Sequence, residues 1–115
     1  MREIKVYVAG PYTNGDIAVN VRQNIKIGNE LALIGYIPFV PLLSHFWHII
    51  CPQNCTFWTR LDNAWVSSCD VLLRTSGLSA GADAEVELAK QLGIPVVYSI
   101  HELEAKHPLY DEPTV

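Results

Sequence analysis

The sequence predicts an α/β fold built on a doubly wound parallel sheet of four or five strands, with residues 1–115 forming a single domain. Patterns typical of strands and helices alternate as β-α-β-α-β-α-β, which favours a parallel sheet with helices on both faces. Half of the 115 residues are hydrophobic and 17% are charged, a composition typical of a globular domain with one core. No internal repeat, low-complexity tract or linker divides the sequence.

The first strand and the first helix come from two adjoining patterns. Residues 4–9 form a β-rich run that ends in Gly10-Pro11, so the first strand leads into a tight turn. From Asp16 onward apolar residues recur at helical spacing until Gly35, which ends the helix. The residues of this helix that we expect to face solvent are Gln23, Asn24, Lys26 and Glu30.

The middle of the chain is harder to interpret. Residues 36–41 predict a second strand, and its prolines, Pro38 and Pro41, place it at a sheet edge or make it irregular. Residues 42–56 are dense in aromatic residues, histidines and cysteines and receive no assignment. Residues 57–68 predict a helix from their apolar spacing.

The last third of the chain continues the alternation. Residues 70–73 predict the third strand, residues 79–92 a helix, and residues 94–98 the last strand. Prolines interrupt the tail from residue 101, so we expect at most a short helical turn around residues 102–104.

The turn before the helix at residues 79–92 carries the clearest chemical signal. Ser79 is a suitable helix cap and Gly81 allows close approach to the backbone, so the first-turn amides can bind an anion. Glu85 lies about one turn further along, where its carboxylate can face the same pocket. A capped helix with an acidic first turn, which the helix dipole favours, is the plainer alternative. Ligands of open α/β sheets lie at the carboxyl ends of the strands, where we expect the site.

Charge and cysteine content narrow the possible partners. The formal net charge is -4 and the lysines and arginines form no cluster, which argues against binding a nucleic acid polymer. The longest apolar tract, residues 31–43, is interrupted by glycine and proline and is shorter than the roughly 20 residues of a membrane span. Three cysteines predict no disulfide framework. We therefore expect a soluble cytoplasmic protein without a signal peptide.

Three short motifs carry a resemblance to a known family. They are Tyr7-Val8-Ala9-Gly10-Pro11, Asp62-Asn63-Ala64-Trp65 eight residues before Asp70, and Ser79-x-Gly81-x-x-x-Glu85. In this order and spacing they resemble the nucleoside 2-deoxyribosyltransferase-like superfamily, which includes base-transferring enzymes and nucleoside 5′-monophosphate N-glycosidases. The resemblance extends from the first strand to Val97.

The resemblance implies a catalytic role for three residues. In the family, the glutamate that matches Glu85 is the nucleophile on the anomeric carbon, and the aspartate that matches Asp62 handles the nucleobase and its proton. The tyrosine that matches Tyr7 orients the nucleophile. These roles make chemical sense because cleaving an N-glycosidic bond needs a carboxylate at an oxocarbenium-like centre and an acid for the leaving base.

Ser79 distinguishes two branches of the family. The transferases have at this position a carboxylate that binds the sugar 5′-hydroxyl, whereas the monophosphate hydrolases have a serine. A carboxylate would repel phosphate, and a hydroxyl with helix amides would attract it. The resemblance therefore implies an N-glycosidase acting on a nucleoside 5′-monophosphate. The turn Gly10-Pro11-Tyr12 departs from the hydrolases, which tend to place a serine there for phosphate.

Other residues near the expected site have competing interpretations. His45 and Trp47 can stack on a base as part of a substrate lid, or pack as ordinary aromatic residues. Arg74 can contact phosphate or base, or form a surface salt bridge. The full set of expected substrate-binding residues is Gly10, Pro11, His45, Trp47, Arg74, Ser79 and Gly81. The less favoured alternative is a zinc site with the ligands His45, His48, Cys51 and Cys55.

Two further functions stay open at this point. The first is base exchange between deoxynucleosides by a 2-deoxyribosyltransferase, and the second is nucleotide binding without turnover. We expect a small nucleotide or nucleoside as the partner, no cofactor, and no metal in the catalytic set. We also expect a homo-oligomer, because the family completes its pocket from a neighbouring subunit and the aromatic loop offers apolar surface.

Overall fold

The computed structural model describes residues 1–111, in which four strands form one parallel sheet. The strands are β1 (Lys5–Ala9), β2 (Ile37–Phe39), β3 (Val71–Arg74) and β4 (Val96–Val97), in the spatial order β2-β1-β3-β4. Tyr7 lies opposite Phe39 of β2 on one side and Leu72 of β3 on the other. The prediction of a doubly wound parallel sheet of four or five strands is confirmed.

Five α-helices and one 3-10 turn connect the strands within residues 1–111. They are α1 (Ile17–Ile34), the 3-10 turn (Pro41–Leu43), α2 (Ser44–Ile50), α3 (Cys55–Ser68), α4 (Ala80–Gln91) and α5 (Ile100–Lys106). One core cluster joins the sheet to α1 and α5, and a second joins its other face to α3 and α4. None of these helices is both long and apolar enough to cross a membrane.

The pleat of β1 sends alternate side chains to the two layers. Val6 and Val8 pack in the cluster with α1 and α5, whereas Tyr7 and Ala9 pack in the cluster with α3 and α4. β1 lies between two other strands and is covered on both faces, so all four side chains are fully buried. The α3/α4 layer therefore contains a buried tyrosine in the middle of the sheet.

Strand boundaries differ from the predicted ones for local reasons. The expected strand at residues 94–98 is limited to Val96–Val97, because the amides on either side of it donate hydrogen bonds to the neighbouring helices and not to the sheet. The Ile94 amide donates to the Ala89 carbonyl at 2.8 Å, and the Tyr98 amide donates to a Glu102 carboxylate oxygen at 2.7 Å. The second strand is likewise limited to Ile37–Phe39 and lies at the sheet edge, as its prolines predict.

Two predictions about helices need correction. The unassigned residues 42–56 contain the 3-10 turn, α2 and the beginning of α3, where the Asn54 side chain accepts the Phe57 amide at 2.9 Å. Asn24 does not face solvent. It is 1% exposed, because Gly10 and Thr75 leave room for its side chain against the sheet edge. A β-carbon at Gly10 would lie 2.8 Å from Asn24 Nδ2 and 2.2 Å from Thr75 Oγ1.

Candidate active site

A partly buried hydrogen bond links β1 to α4 at the carboxyl edge of the sheet. The Tyr7 hydroxyl donates to Glu85 Oε2. Tyr7 is fully buried, and Glu85 lies beside the stripe formed by Ala82, Val86 and Ala89, which packs α4 onto the sheet. Burial, and then the charge of Glu85, raise the pKa of the tyrosine above its ordinary value. Tyr7 therefore stays neutral and holds the carboxyl group in a fixed orientation.

The beginning of α4 fixes where Glu85 lies. Ser79 has extended backbone, and its hydroxyl accepts the Ala82 amide at 3.1 Å while its carbonyl accepts the Asp83 amide at 3.0 Å. A β-carbon at Gly81 would meet only Ser79 Oγ, at 4.0 Å, so the space above the first turn is open. Among residues 1–111 the amides of Ala80 and Gly81 have no acceptor, as is usual for the first amides of a helix.

Arg74 holds the loop between β3 and α4. Its guanidinium is 9% exposed and donates to the Thr75 carbonyl, to the Gly77 carbonyl at 2.8 Å and to Asp83 Oδ1 at 3.0 Å. These bonds fasten the end of β3 to the first turn of α4, which carries Glu85. A contact between Arg74 and a substrate stays a prediction.

Asp62 of α3 acts electrostatically on the Tyr7–Glu85 pair. Burial raises the pKa of Asp62 to about 6. For Glu85, burial raises the pKa to about 7; the hydrogen bond from Tyr7 and the charge of Arg74 oppose the increase, whereas the charge of Asp62 adds to it. The pKa values of these two carboxyl groups, which come from α3 and α4, therefore both lie near neutral pH.

An apolar groove of about 680 Å³ opens beside Asp62. The rings of Phe39 and Trp65 stack in its wall, with centroids 4.6 Å apart and planes 20° apart. Trp47 and Trp58 also line it. Of these aromatic residues, only Trp47 was expected to bind substrate. Phe39, Trp58 and Trp65 were missed because the groove forms only when β2, α2 and α3 come together in the fold. An aromatic wall of this kind can stack on a flat heterocycle.

The remaining expected residues lie around this centre without all facing it. His45 Nδ1 lies 2.6 Å from the Tyr12 hydroxyl, so it ties the loop after β1 to α2. Gly10 is covered by Thr75 and Asn24, and Pro11 packs near Gly77, towards the α1/α5 side of the sheet. A substrate contact by His45, Gly10 or Pro11 stays a prediction.

The suggested zinc ligands are engaged in other contacts. His48 Nδ1 accepts the Trp58 indole N–H at 3.0 Å and lies 3.2 Å from the Gln53 amide nitrogen. Cys51 and Cys55 are exposed at the two ends of the α2–α3 connection. Within residues 1–111, no three histidine, cysteine, aspartate or glutamate side chains are grouped so that they can hold a metal ion.

The site thus combines a carboxyl group held by a tyrosine, a second carboxyl group, open helix amides and an aromatic groove. A solved structure with a similar fold is the 2-deoxyribosyltransferase from the psychrotolerant bacterium Bacillus psychrosaccharolyticus. Its TM-score is 0.62, with 22% identity over 80% of this chain and 69% of that chain. At this identity the similarity shows a 2-deoxyribosyltransferase-like fold.

Sequence comparison gives the family. Among curated proteins, no sequence matches this chain. Residues 4–99 match the family described as Domain of unknown function (DUF7768). This match covers most of the chain, including all four strands and the three residues of the candidate active site. The chain therefore belongs to the DUF7768 family.

Proposed function

We propose that this protein is an N-glycosidase that cleaves the base–sugar bond of a nucleoside 5′-monophosphate, with Glu85 as the nucleophile. The observation that carries this proposal is the partly buried hydrogen bond from Tyr7 to Glu85, with Asp62 close enough to raise the pKa of Glu85. An acid that serves only to stabilise the first turn of a helix would lie in solvent. Asp83, the acid in the first turn of α4, does so, with a side chain 70% exposed.

In the first step, a Glu85 carboxylate oxygen forms a bond to C1′ of the sugar while the bond from C1′ to the base nitrogen breaks. The electron pair of that bond passes to the base, and Asp62 donates the proton that neutralises it. The products of this step are a free base and a glycosyl ester on Glu85. Tyr7 keeps one carboxylate oxygen occupied, so the other is directed at the sugar.

In the second step, water attacks C1′ and the ester bond to Glu85 breaks, which restores the carboxylate. Asp62, now ionised, accepts the proton of the attacking water. The cycle consumes one water and releases a sugar 5-phosphate and a base, so both carboxyl groups return to their starting states.

The first step requires an ionised Glu85 and a protonated Asp62. With pKa values of about 7 for Glu85 and about 6 for Asp62, this combination is the minor one in the free protein. A base placed over Asp62 would displace water from it and raise its pKa further. Substrate binding would therefore increase the reactive population.

The beginning of α4 supports a phosphate-bearing substrate. Ser79 brings no negative charge to this position, and the amides of Ala80 and Gly81, which have no acceptor among residues 1–111, lie at the positive end of a 12-residue helix. The groove beside Asp62, with the stacked rings of Phe39 and Trp65, is where we place the base. In this arrangement C1′ lies between the two subsites, next to Glu85.

Base transfer is the second candidate. It is favoured by the fold shared with a 2-deoxyribosyltransferase. Its first step would be the same, and in the second step a nitrogen of another base would replace water as the nucleophile at C1′. An added second base would then yield a new nucleoside or nucleotide, whereas a hydrolase would release the sugar phosphate alone.

The surface of α2 supports the expected homo-oligomer. Phe46, Ile49 and Ile50 are exposed large apolar side chains on this short helix, which lies next to the aromatic groove. We propose that a second copy of the chain covers them. Sedimentation at micromolar concentration should show a dimer or a larger assembly, and a monomer throughout would contradict this part of the proposal.

The function is tested with Glu85→Gln and the matched variant Glu87→Gln. Each purified protein is incubated with the common nucleoside 5′-monophosphates and nucleosides, and released base is measured by chromatography. Glu85→Gln should lower base release by a factor of about 1,000 or more, since an amide cannot form the glycosyl ester. Glu87→Gln should retain activity, because its side chain is exposed on the same helix.

Two outcomes of this assay would contradict the proposal. If Glu85→Gln releases base as fast as the wild-type protein, Glu85 is not the nucleophile. If the wild-type protein releases no base from any substrate but binds nucleotides, the chain is a nucleotide-binding module without turnover.

A further inference from the structure

A second crevice opens at the same edge of the sheet, on the face opposite the candidate active site. We call it the amide crevice; it has a volume of about 360 Å³. Its residues come from α1, from the ends of β1 and β3, and from the turn between β4 and α5. They are Pro11, Asn20, Gln23, Asn24, Ile27, Leu73, Thr75, Ser76, Tyr98, Ser99 and Ile100.

Asn24 is the most unusual residue of this crevice. Its side chain is 1% exposed, and its Nδ2 donates to the Asn20 carbonyl at 3.2 Å. Its Oδ1 is buried and finds no hydrogen-bond donor among residues 1–111. A buried acceptor without a partner is costly, and a molecule that donates a hydrogen bond to it would remove that cost.

The surroundings of Asn24 keep the crevice open. Gly10 has no side chain, and a β-carbon there would collide with Thr75 Oγ1 and with both amide atoms of Asn24. Asn20 Nδ2 donates to the carbonyls of Tyr12 at 2.8 Å and Asn14 at 2.9 Å, which holds the loop after β1 in place. The shape of the crevice therefore depends on the close contact at Gly10 and on the loop after β1 that Asn20 holds in place.

The chemistry of the walls defines the ligand. Of the described residues that line the crevice, none is charged, so nothing there compensates a phosphate or a carboxylate. Ile27, Leu73 and Ile100 offer apolar surface, and the amides and hydroxyls offer donors and acceptors. A volume near the lower end of the range for ligand pockets, about 300–1,000 Å³, suits a small molecule better than a whole nucleotide.

We propose that the amide crevice is a second binding site that takes a small, neutral, planar heterocycle of the nucleobase class. The flat faces of the ring contact Ile27 and Ile100, and a ring N–H donates to Asn24 Oδ1 after a small rotation of that side chain. Gln23, on the exposed side of α1, binds the remaining polar edge.

This inference takes its ligand class partly from the proposed function, since a free base is the product released at Glu85. Leu73, Ile27 and Ile100 of the crevice lie in or against the core layer of α1 and α5, whereas Glu85 and Asp62 belong to the layer of α3 and α4. A base bound in the crevice would therefore leave the catalytic cleft free for substrate.

Isoleucine methyl groups give a direct test. Ile27 and Ile100 line the amide crevice, whereas Ile25 of the same helix lines the groove beside Asp62. Protein with labelled isoleucine δ1-methyl groups is titrated with adenine, hypoxanthine, cytosine and uracil, and the methyl shifts are followed by NMR. At least one base should give saturable shifts of Ile27 and Ile100 with a single dissociation constant.

Three variants complete the test. Asn24→Ala removes the unpaired acceptor and should weaken binding at Ile27 and Ile100 by about tenfold. Gln23→Ala changes an exposed side chain that does not affect folding, and it should weaken binding about threefold. Gln91→Ala, at the exposed end of α4 and away from both pockets, should bind as the wild-type protein does.

The outcomes separate this inference from the proposed function. Shifts confined to Ile25, or no shifts at low-millimolar base, would overturn the second site, and so would binding that is unchanged in both Asn24→Ala and Gln23→Ala. The titration is repeated with Glu85→Gln, which should still show the Ile27 and Ile100 shifts. If the protein binds a free base in this way but never releases a base from a nucleotide, the second site is supported and the N-glycosidase proposal is rejected.

Discussion

The two crevices at the carboxyl edge of the sheet differ in the polar groups that they contain. On the α3/α4 side, Tyr7, Asp62 and Glu85 bring two carboxyl groups into a partly dry layer, and burial raises the pKa of each. On the α1/α5 side, Asn24 and Thr75 are buried polar residues without charge. Because side chains alternate along β1, one strand can border both environments, so the ionisable groups and the neutral polar groups lie on separate faces.

Among the substitutions that test this difference between the two faces, we expect the largest effect from removing the charge of Asp62. Asp62→Asn should lower base release by a factor of about 100 to 10,000 for ordinary nucleotides, the usual range for loss of a general acid. For a 4-nitrophenyl glycoside the loss in kcat/KM should be much smaller, since that leaving group needs no proton. The two substrates are compared by kcat/KM, which reports the first step, because Asp62 also serves the second step for both substrates.

The same variant should also change the pKa of Glu85. The charge of Asp62 raises this pKa, so NMR titration of a labelled Glu85 carboxyl carbon should give a lower pKa in Asp62→Asn than in the wild-type protein. An unchanged pKa of Glu85 would mean that Asp62 and Glu85 do not interact.

Tyr7→Phe tests the positioning of Glu85 with a smaller effect. Loss of the hydroxyl should lower kcat by about tenfold, as expected when a nucleophile loses one orienting hydrogen bond. Because the hydrogen bond from Tyr7 lowers the pKa of Glu85, its removal should raise the pKa of Glu85 measured by NMR titration, opposite to the shift in Asp62→Asn. A shift in the same direction for both variants would refute the assigned electrostatics.

Glu85→Gln should have a modest and pH-dependent effect on stability. The pKa of Glu85 is raised from 4.5 to about 7, so the folded state binds more protons than the unfolded state between these values. The stability of the wild-type protein therefore falls as pH rises through this window, by at most about 3 kcal/mol. The variant should unfold at a higher temperature than the wild-type protein at pH 8 and at a similar one at pH 4.

A thermal melt of Glu87→Gln is the control for this comparison. The Glu87 side chain is exposed, so its variant should follow the wild-type protein at both pH values. Equal melting temperatures of Glu85→Gln and the wild-type protein at pH 8 would contradict this prediction. They would show that burying the charged carboxylate of Glu85 does not destabilise the folded state.

Local sequence signals were sufficient to predict the fold and the beginning of α4. The cap Ser79 and the end of α1 at Gly35 follow from residue type, and the structure has them where they were expected. Asp16, from which the helical pattern was predicted to begin, is the N-cap of α1. The alternation of elements was sufficient for the parallel sheet. These features depend on neighbours within a few residues, which a sequence displays directly.

The parts that were missed depend on contacts between distant segments. Asn24 lies at a position of α1 that looks polar and solvated, and it is buried only because Gly10 and Thr75 face it from two other loops. Phe39 and Trp65 stack although they come from β2 and α3. Periodicity shows which face of a helix is apolar, but it does not show which side chain from elsewhere meets it.

The central claim is that Glu85 becomes covalently attached to the sugar. The most direct measurement is peptide mapping by mass spectrometry after rapid acid quench of the wild-type protein with its best substrate. The peptide that contains Glu85 should gain the mass of the glycosyl group, and the same peptide from Glu85→Gln should not. Rapid base release without any adduct on this peptide, together with full activity of Glu85→Gln, would contradict the account.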